Sequence, residues 1–287
     1  RGRAASLWRT PGQSGESGFQ DYKVHPYQWP TIGKNIDHIA GASLEEVEDF
    51  FHRFYAPDNA ILSISGNITD EKALELVKKW FGDIPPARYK RKALPMEPQQ
   101  TEERRLVCEH NKVPADAIYK VYHMGDRRSD NFYTCDTISD ILSNGQSSRL
   151  YINLIKNGKL FSEVDAYITG DMDPGLFIFS GKLSEGVAIE EAEAAIQNEI
   201  DHFIEDPISE RELQKVINKT EARISYSEIN YQGKSANLAF FDYLGDVNLI
   251  NSESTRYAEV SLDSIKQTAR ELFSAKNCST LWYLKDK

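Results

Sequence analysis

The sequence predicts an α+β fold of two tandem, related domains, the first of them truncated, in which mostly antiparallel sheets pack against helices. Three observations support this prediction: a helix–strand unit that occurs twice, long amphipathic helices that are separate from the strand pairs, and hairpin-like turns. The length of 287 residues suits about two domains of ordinary size. With 40% hydrophobic residues, the chain can also fill a core.

The repeated unit occupies residues 43–67 and 261–285, which align without a gap at an offset of 218 residues (261 minus 43). Each copy opens with Ser-Leu and an acid, continues amphipathically, and turns through an asparagine into a short apolar run. Ser43 and Ser261 suit an N-cap, because a hydroxyl oxygen can accept a hydrogen bond from an amide of the first turn. Solenoid repeats recur about every 20–50 residues. This much longer spacing predicts two similar domains.

The first domain is predicted to be a remnant that covers residues 1–86. After an irregular start at 1–19, residues 25–34 form a loop that two prolines fix. The predicted elements that follow are a helix at 43–55, a strand at 60–65 and a second helix from Thr69 or Asp70 through Phe81. The sequence has no initiator methionine, so we expect its true N-terminal part to be missing and infer nothing about targeting.

Residues 87–104 are predicted to be a linker, because they change from a basic to an acidic run and show no apolar period. The second domain is predicted at 105–287. Its predicted strands lie at 105–109, 117–124, 164–169 and 176–181, and its predicted helices at 131–142, 147–155, 189–204, 209–226 and onward to about 244. The second copy of the repeated unit closes this domain.

The acidic composition argues against several classes of partner. A net charge of −10 and an isoelectric point of about 5.2 do not suit nucleic-acid binding. No apolar run approaches the roughly 18 residues that a membrane helix needs. No transmembrane segment is therefore predicted, and a soluble protein of the bacterial periplasm or cytoplasm is expected, although the sequence does not identify its compartment. Cys108, Cys135 and Cys278 are odd in number and widely spaced, which indicates packed thiols and no disulfide framework.

Histidine spacing assigns no metal site. The six histidines include no pair four residues apart, so these residues contain neither HExxH nor HxxEH. His202 and Asp206 imitate such a pair, but Pro207 should end the helix there, and a solvated turn is the better interpretation. Cys108 and His110 share one side of a predicted strand, yet two ligands without a third do not make a zinc site.

Motifs for nucleophilic or nucleotide chemistry are also absent from the sequence. It contains no GxSxG, no GxxxxGK[ST] and no GxGxxG. Asp171 and Asp173 lie in a Gly-rich turn and could hold a cation, although such a turn favours Asp and Gly for conformational reasons alone. No catalytic residue and no metal-ligating residue is therefore predicted in this chain.

Several stretches, taken in order, resemble one enzyme family. They are HPY at 25–27 with the Pro and Gly that follow, APDNA at 56–60, WFGDIP at 80–85 and LSNGQSSRLY at 142–151. Their order and spacing over residues 22–287 resemble the M16 (pitrilysin/insulinase-type) zinc metallopeptidases. The family-motif residues that we expect to be structural are His25, Pro26, Tyr27, Asn59 and Arg149.

The resemblance implies two α+β domains that face each other like a clamshell. The first would carry HxxEH and a later Glu as zinc ligands, and the zinc would activate water for attack on a peptide carbonyl, with the motif Glu as base. The second would bind no metal and would help to enclose an extended peptide. Zinc is thus implied for the full-length family member. None is expected in this chain, because neither HxxEH nor the third-ligand Glu can be placed in it.

A second departure from the family concerns substrate contacts. The family's second domain commonly carries an Arg and a Tyr, seven residues apart, that touch the substrate. Ile155 and Ser162 occupy the matching positions here. Either other residues such as Lys156 or Lys159 make this contact, or the contact is not used.

The sequence therefore predicts one part of a zinc-dependent metallopeptidase that hydrolyses extended peptides. This chain would supply the substrate-enclosing second domain and would be inactive alone. The alternative is a catalytically inactive M16-like partner subunit or a peptide-binding scaffold. The expected partners are a peptide substrate and either an M16-like subunit or a second copy of the chain. A third hypothesis is a general module that binds peptides by strand addition at a sheet edge.

Overall fold

The computed structural model describes residues 21–29, 35–87, 89, 92–110, 113–170, 172–206 and 208–285. The described residues form two compact units. The sheet unit draws on residues within 1–31, 95–220 and 255–287, and the helical unit draws on residues within 32–94 and 221–254. Both units therefore combine segments that are distant in the sequence.

A five-stranded sheet is the centre of the sheet unit. Its strands are β1 (Arg104–His110), β2 (Ala117–His123), β3 (Phe161–Ile168), β4 (Leu176–Leu183) and β5 (Cys278–Lys285), in the order β1-β5-β2-β4-β3. β1 and β5 pair in parallel, whereas the β5–β2, β2–β4 and β4–β3 pairs are antiparallel. The predicted α+β fold with mostly antiparallel strands is confirmed.

Aromatic side chains from three elements form the centre of the core. Phe177 and Phe179 of β4 are fully buried, and Tyr122 of β2 is 1% exposed. The ring of Phe273 lies 5.1 Å from the rings of both Tyr122 and Phe177. Edge-to-face pairs of this kind add about 0.5–1.5 kcal/mol each beyond the burial of their area. Phe273 belongs to the second copy of the repeated unit, which is therefore anchored in the core.

Helices pack against strands of this sheet and also build the helical unit. The helices of the described residues are α1 (Ile36–Ala40), α2 (Leu44–Phe54), α3 (Asp70–Phe81), α4 (Phe132–Ser143), α5 (Ile189–Glu205), α6 (Glu210–Ser227), α7 (Tyr231–Tyr243), α8 (Glu253–Ala258) and α9 (Leu262–Leu272). Thr69 caps α3 by accepting a hydrogen bond from the amide of Lys72, as predicted. No helix within the described ranges combines the length and apolar character that crossing a bilayer requires.

The predicted ordinary helix at 147–155 is replaced by a π-helix, Tyr151–Asn157. Its wider turns bring Leu154 into the core while its other side chains stay more exposed. Gly158 ends it, and a Cβ at Gly158 would lie 2.7 Å from the carbonyl oxygen of Asn153. Lys159 then leaves the helix with φ of 54°. Amphipathic spacing indicates a helix but does not distinguish these wider turns from α-helical ones.

The two copies of the repeated unit share their helix and its cap. α2 and α9 begin at equivalent residues, and a capping box starts each helix, with Ser43 in the first copy and Ser261 in the second. A short 3-10 turn follows each helix at equivalent positions, Pro57–Asn59 and Ala275–Asn277. The sequence repeat is therefore also a repeat of local structure.

The asparagine that ends each turn has the same function in both copies. Asn59 donates from Nδ2 to the carbonyl oxygen of Phe54 at 2.8 Å. Asn277 donates in the same way to Leu272 at 2.9 Å, and additionally to the carbonyl oxygen of His123 at 2.9 Å. Each amide thus satisfies a carbonyl that the helix end leaves without an internal partner.

The copies differ in the strand that should follow. β5 pairs with β1 and β2, whereas residues 60–65 make no strand pairing within the described part of the chain, so the predicted strand there is wrong. Strand structure requires a neighbour that accepts and donates its backbone hydrogen bonds. Apolar side chains in this run stay open to solvent, since Leu62 is 55% and Ile64 is 47% exposed.

Candidate functional site

The HPY segment, defined as residues 21–28, lies on the sheet unit at the turn between β3 and β4. The hydroxyl of Tyr22 donates to the carbonyl oxygen of Pro174 at 2.7 Å. The hydroxyl of Tyr27 donates to Oδ2 of Asp173 at 3.1 Å. This turn contains Asp173, which the sequence offered as a candidate for cation binding. Both tyrosines of the HPY segment donate hydrogen bonds to the turn.

His25 is the most buried residue of this segment, with 1% of its surface exposed. Its Nδ1 accepts a hydrogen bond from the amide of Tyr27 at 3.2 Å, so Nε2 carries the proton in the neutral ring. Nε2 has no hydrogen-bond partner and lies 3.7 Å from Oδ2 of Asp173. Pro26 begins a 3-10 turn, Pro26–Gln28. The HPY motif thus forms one compact turn against the end of the β3–β4 hairpin.

Glu97 anchors the same segment from the other side. Its carboxylate accepts hydrogen bonds from the backbone amides of Lys23 at 2.7 Å, Val24 at 2.7 Å and His25 at 2.9 Å. Burial alone would raise the pKa of Glu97, but these three amides and the nearby His123 hold the pKa below its ordinary value. Glu97 is therefore an anion at neutral pH and binds the segment as such.

A buried polar cluster lies next to this anchor, and Asp21 is its most perturbed member. Asp21 is 5% exposed, and its Oδ1 has no hydrogen-bond partner. Burial raises the pKa of Asp21 to about 7, although the Ser279 hydroxyl and the charge of Arg104 oppose this rise. Burial, assisted by Arg104, also lowers the pKa of His123. The site thus favours a neutral carboxyl beside a neutral imidazole.

Arg149 lies in a different part of the sheet unit. Its Nε and Nη2 donate to Oε1 and Oε2 of Glu212 at 2.9 and 3.2 Å, and its guanidinium lies 5.4 Å from the ring centre of Phe203. Glu212 also accepts hydrogen bonds from the amide and hydroxyl of Ser209, which begins α6. Burial would raise the pKa of Glu212, but Arg149 and Ser209 hold it at about 2. Arg149 therefore joins the start of α6 to the residues before the π-helix.

Ile155 and Ser162, which occupy the positions of the family's substrate contacts, lie on either side of the first residue of β3. Ile155 is half-buried in the π-helix, and Ser162 is exposed on β3, where its hydroxyl donates to the carbonyl oxygen of Lys182 at 3.2 Å. β3 is at one end of the strand order and so forms an edge among the described strands. Lys156 and Lys159 are both exposed in the segment that leads into this edge.

The described residues do not offer a donor set for zinc. No three His, Cys, Asp or Glu side chains among them lie close enough together to hold a metal ion. His202 and Asp206 are both exposed, and Asp206 lies beyond the end of α5 with an extended backbone. Asp171 and the side chain of His110 lie outside the described residues. No catalytic step is therefore assigned to a metal bound by these residues.

The three cysteines are free thiols, as expected. Cys135 and Cys278 are buried, and Cys108 is half-buried. Burial raises the pKa of Cys135 to about 12 and raises that of Cys108 above its ordinary value. Thiols with raised pKa values are poor nucleophiles at neutral pH.

The structure brings the HPY motif together with residues that sequence reasoning missed. Asp21, Glu97, Arg104 and His123 are up to 102 residues apart (123 minus 21), and no spacing rule connects them. The HPY motif was the only feature of the sequence that pointed to this site, because its proline predicted a fixed turn. Asn59 and Arg149 do not join this cluster through any described contact.

Comparisons with known proteins agree on one family. A family model described as the peptidase M16 inactive domain matches residues 41–220. The zinc protease PqqE of Helicobacter pylori is 26% identical over 270 residues, which cover 91% of this chain and 59% of that protein. The chain thus spans less than two thirds of this curated relative.

Solved structures show the same fold. The structure of a protease from Helicobacter pylori matches with a TM-score of 0.84 at 22% identity, covering 92% of this chain and 64% of the other. A structure described as the peptidase M16 inactive domain from Pseudomonas fluorescens matches with a TM-score of 0.81 at 13% identity, covering 93% and 62%. At 22% and 13% identity, these matches show that the fold is shared.

Proposed function

The chain belongs to the M16 peptidase family by its match to the family's inactive domain, and we propose on this basis that it supplies the substrate-enclosing part of a zinc-dependent peptidase. The match of residues 41–220 to that domain carries the proposal. The Helicobacter pylori relative is named a zinc protease, which supports zinc as the metal of the whole protein. When bound, zinc would activate water for attack on a peptide carbonyl.

We propose that the chain consists of three parts. Residues 1–86 are a remnant of the catalytic-type domain, residues 87–104 are a linker, and residues 105–287 are the metal-free second domain. The position of the strands supports the last of these parts, since all five described strands lie between Arg104 and Lys285. His25, Pro26, Tyr27, Asn59 and Arg149 have structural functions in this proposal. The 3-10 turn that Pro26 begins and the hydrogen bonds of the other four residues support it.

We place the peptide contact of this chain at the β3 edge. An edge strand offers backbone groups to an extended peptide. Lys156 and Lys159 are exposed beside that edge and can pair with a carboxylate of the peptide. In this proposal they replace the family's Arg and Tyr, whose positions hold Ile155 and Ser162.

The experiment compares peptide hydrolysis by the whole gene product and by its Lys156→Ala/Lys159→Ala double variant. Loss of charged hydrogen bonds to substrate should raise KM for an acidic peptide roughly tenfold and leave kcat unchanged. Lys276→Ala removes an equally exposed lysine away from this edge and serves as the matched control. An unchanged KM in the double variant, or the same rise in the control, would contradict the assignment of this edge.

A second candidate function is a catalytically inactive partner subunit or scaffold that binds peptides. The observation in its favour is that neither Ile155 nor Ser162 can make the charged and aromatic contacts expected of the enzyme. In that case the whole gene product would bind a fluorescent peptide without cleaving it. The partner would be an M16-like subunit or a second copy of this chain.

A further inference from the structure

The HPY segment is attached to the sheet unit at several separate points. Glu97 holds three consecutive amides, and the hydroxyls of Tyr22 and Tyr27 reach the β3–β4 turn. Arg104 adds a hydrogen bond from Nη1 to the carbonyl oxygen of Asp21 at 3.0 Å. Most of these bonds attach backbone of the segment to side chains elsewhere, and none of them belongs to the strand pairings of the sheet. Tyr22 also packs against Val121, Leu176 and Ile178 in the core.

Oδ1 of the Asp21 carboxyl is buried without a hydrogen-bond partner, so the neighbouring Ser279 and Arg104 compensate a negative charge there only in part. The Ser279 hydroxyl already donates its proton to Oε1 of Gln100 at 3.2 Å. The orientation of Gln100 is fixed, because its Nε2 donates to the carbonyl oxygen of Cys278 at 2.8 Å. A protonated Asp21 suits this environment better than a carboxylate does, since an unpaired buried charge is costly.

The other charged and titratable groups that face this site are Arg104 at the start of β1, His123 at the end of β2, Glu97, and Asp173 beside His25. The ring centre of His123 lies 5.5 Å from that of Tyr22, edge to face. Nε2 of His123 and Nε of Arg104 are buried without hydrogen-bond partners. Detachment of the segment would therefore expose His123 and Asp21 to water together.

We infer that the HPY segment is a latch that docks on the five-stranded sheet with Asp21 protonated and His123 neutral, so that its release is linked to proton exchange at both residues. The inference does not depend on the proposed peptidase function, because it concerns the docking of one segment of this chain. Release gives the Asp21 proton to solvent, and at acidic pH the released His123 takes one up.

Asp21 and His123 have opposite effects on how the release of the HPY segment depends on pH. The pKa of docked Asp21 is about 7, and that of a free Asp is about 3.9, so release becomes easier as pH rises between these values and levels off above them. The pKa of docked His123 lies below its ordinary value of about 6.5, so release becomes easier as pH falls below about 6.5. The unmodified chain should therefore have a flatter pH profile than a variant that lacks either group.

Hydrogen exchange of the amides of Lys23, Val24 and His25 tests this inference, because these amides exchange only when they leave Glu97. Protection factors are measured between pH 5 and pH 8 on the unmodified chain and its variants. In His123→Gln, protection should fall roughly 50-fold from pH 5 to pH 7, because only Asp21 then responds. In Asp21→Asn, this fall should vanish and protection should instead decrease as pH drops below about 6.5.

Two further variants control for other effects. Asp130→Asn changes an exposed carboxyl elsewhere and should reproduce the unmodified profile. Glu97→Gln removes the anchoring charge and should lower protection at every pH between 5 and 8. Asp21→Asn conserves the shape of a protonated carboxyl and should fold. The inference is overturned if the Asp21→Asn profile coincides with that of the unmodified chain, or if protection in His123→Gln does not fall with rising pH.

Discussion

Replacement of Arg149 by Ala should destabilise the chain at neutral pH and reduce its sensitivity to acid. The pKa of Glu212 is about 2 against an ordinary value of 4.5, which corresponds to about 3 kcal/mol at 1.36 kcal/mol per unit. Burial opposes this shift, Ser209 contributes part of it, and Glu212 is 31% exposed, so we discount the share of Arg149 for solvent screening to about 1–2 kcal/mol.

The sign of the pH dependence follows from the lowered pKa. A carboxyl whose pKa is depressed by folding stabilises the protein above its unfolded pKa, and this stabilisation is lost as pH falls through the folded pKa. The unfolding free energy of the unmodified chain should therefore decrease between about pH 5 and pH 2, as measured by urea unfolding. Arg149→Ala should lie about 1–2 kcal/mol lower at pH 7 and approach the unmodified chain at the acidic end.

The matched control is Arg211→Ala, which removes an exposed arginine from the same helix as Glu212. Its unfolding free energy should stay within about 0.5 kcal/mol of the unmodified value. Arg149→Ala could instead be destabilised equally at pH 7 and pH 2.5. The stability that Arg149 contributes would then come from packing over Phe203, and the electrostatic argument would be refuted.

Three further predictions concern packing and burial. Asn277→Ala should cost about 2 kcal/mol in urea unfolding, because two carbonyls lose their donor, whereas Asn59→Ala, which removes one exposed bond, should cost less. Gly181→Ala should cost about 1–3 kcal/mol and lower Tm, since the added Cβ would lie 2.5 Å from Cε1 of the buried Phe161; an unchanged Tm would show that this ring moves freely. The Cys135 thiol, whose pKa is raised to about 12 by burial, should resist a disulfide reagent at pH 8 in the folded chain and react in urea. Rapid reaction without urea would contradict its burial.

Local signals in the sequence were sufficient for most helices and for the repeated unit. Serine caps, the asparagine turn and helical spacing are short-range features, and both copies show the same helix and the same asparagine bond. The strand predicted at 60–65 failed for the opposite reason. An apolar run becomes a strand only when a neighbour pairs with it, and local pattern cannot provide that neighbour.

The polar cluster around Asp21 was out of reach of sequence reasoning. Its members come from the HPY segment, the predicted linker and the ends of β1 and β2, and only the folded sheet brings them together. Glu97 in particular lies within residues 87–104, which were predicted to be a linker, yet its carboxylate accepts hydrogen bonds from three backbone amides. The π-helix was missed because its seven residues are too few for amphipathic spacing to distinguish its wider turns from those of an ordinary helix.

Peptide hydrolysis by this chain and by the whole gene product tests the central claim most directly. A quenched fluorogenic peptide is offered to each protein, with added zinc and with a metal chelator. We expect the whole gene product to release the fluorophore and the chelator to stop it, while this chain alone releases none under either condition. Chelator-sensitive hydrolysis by this chain alone would contradict the claim that it supplies the metal-free part of the enzyme.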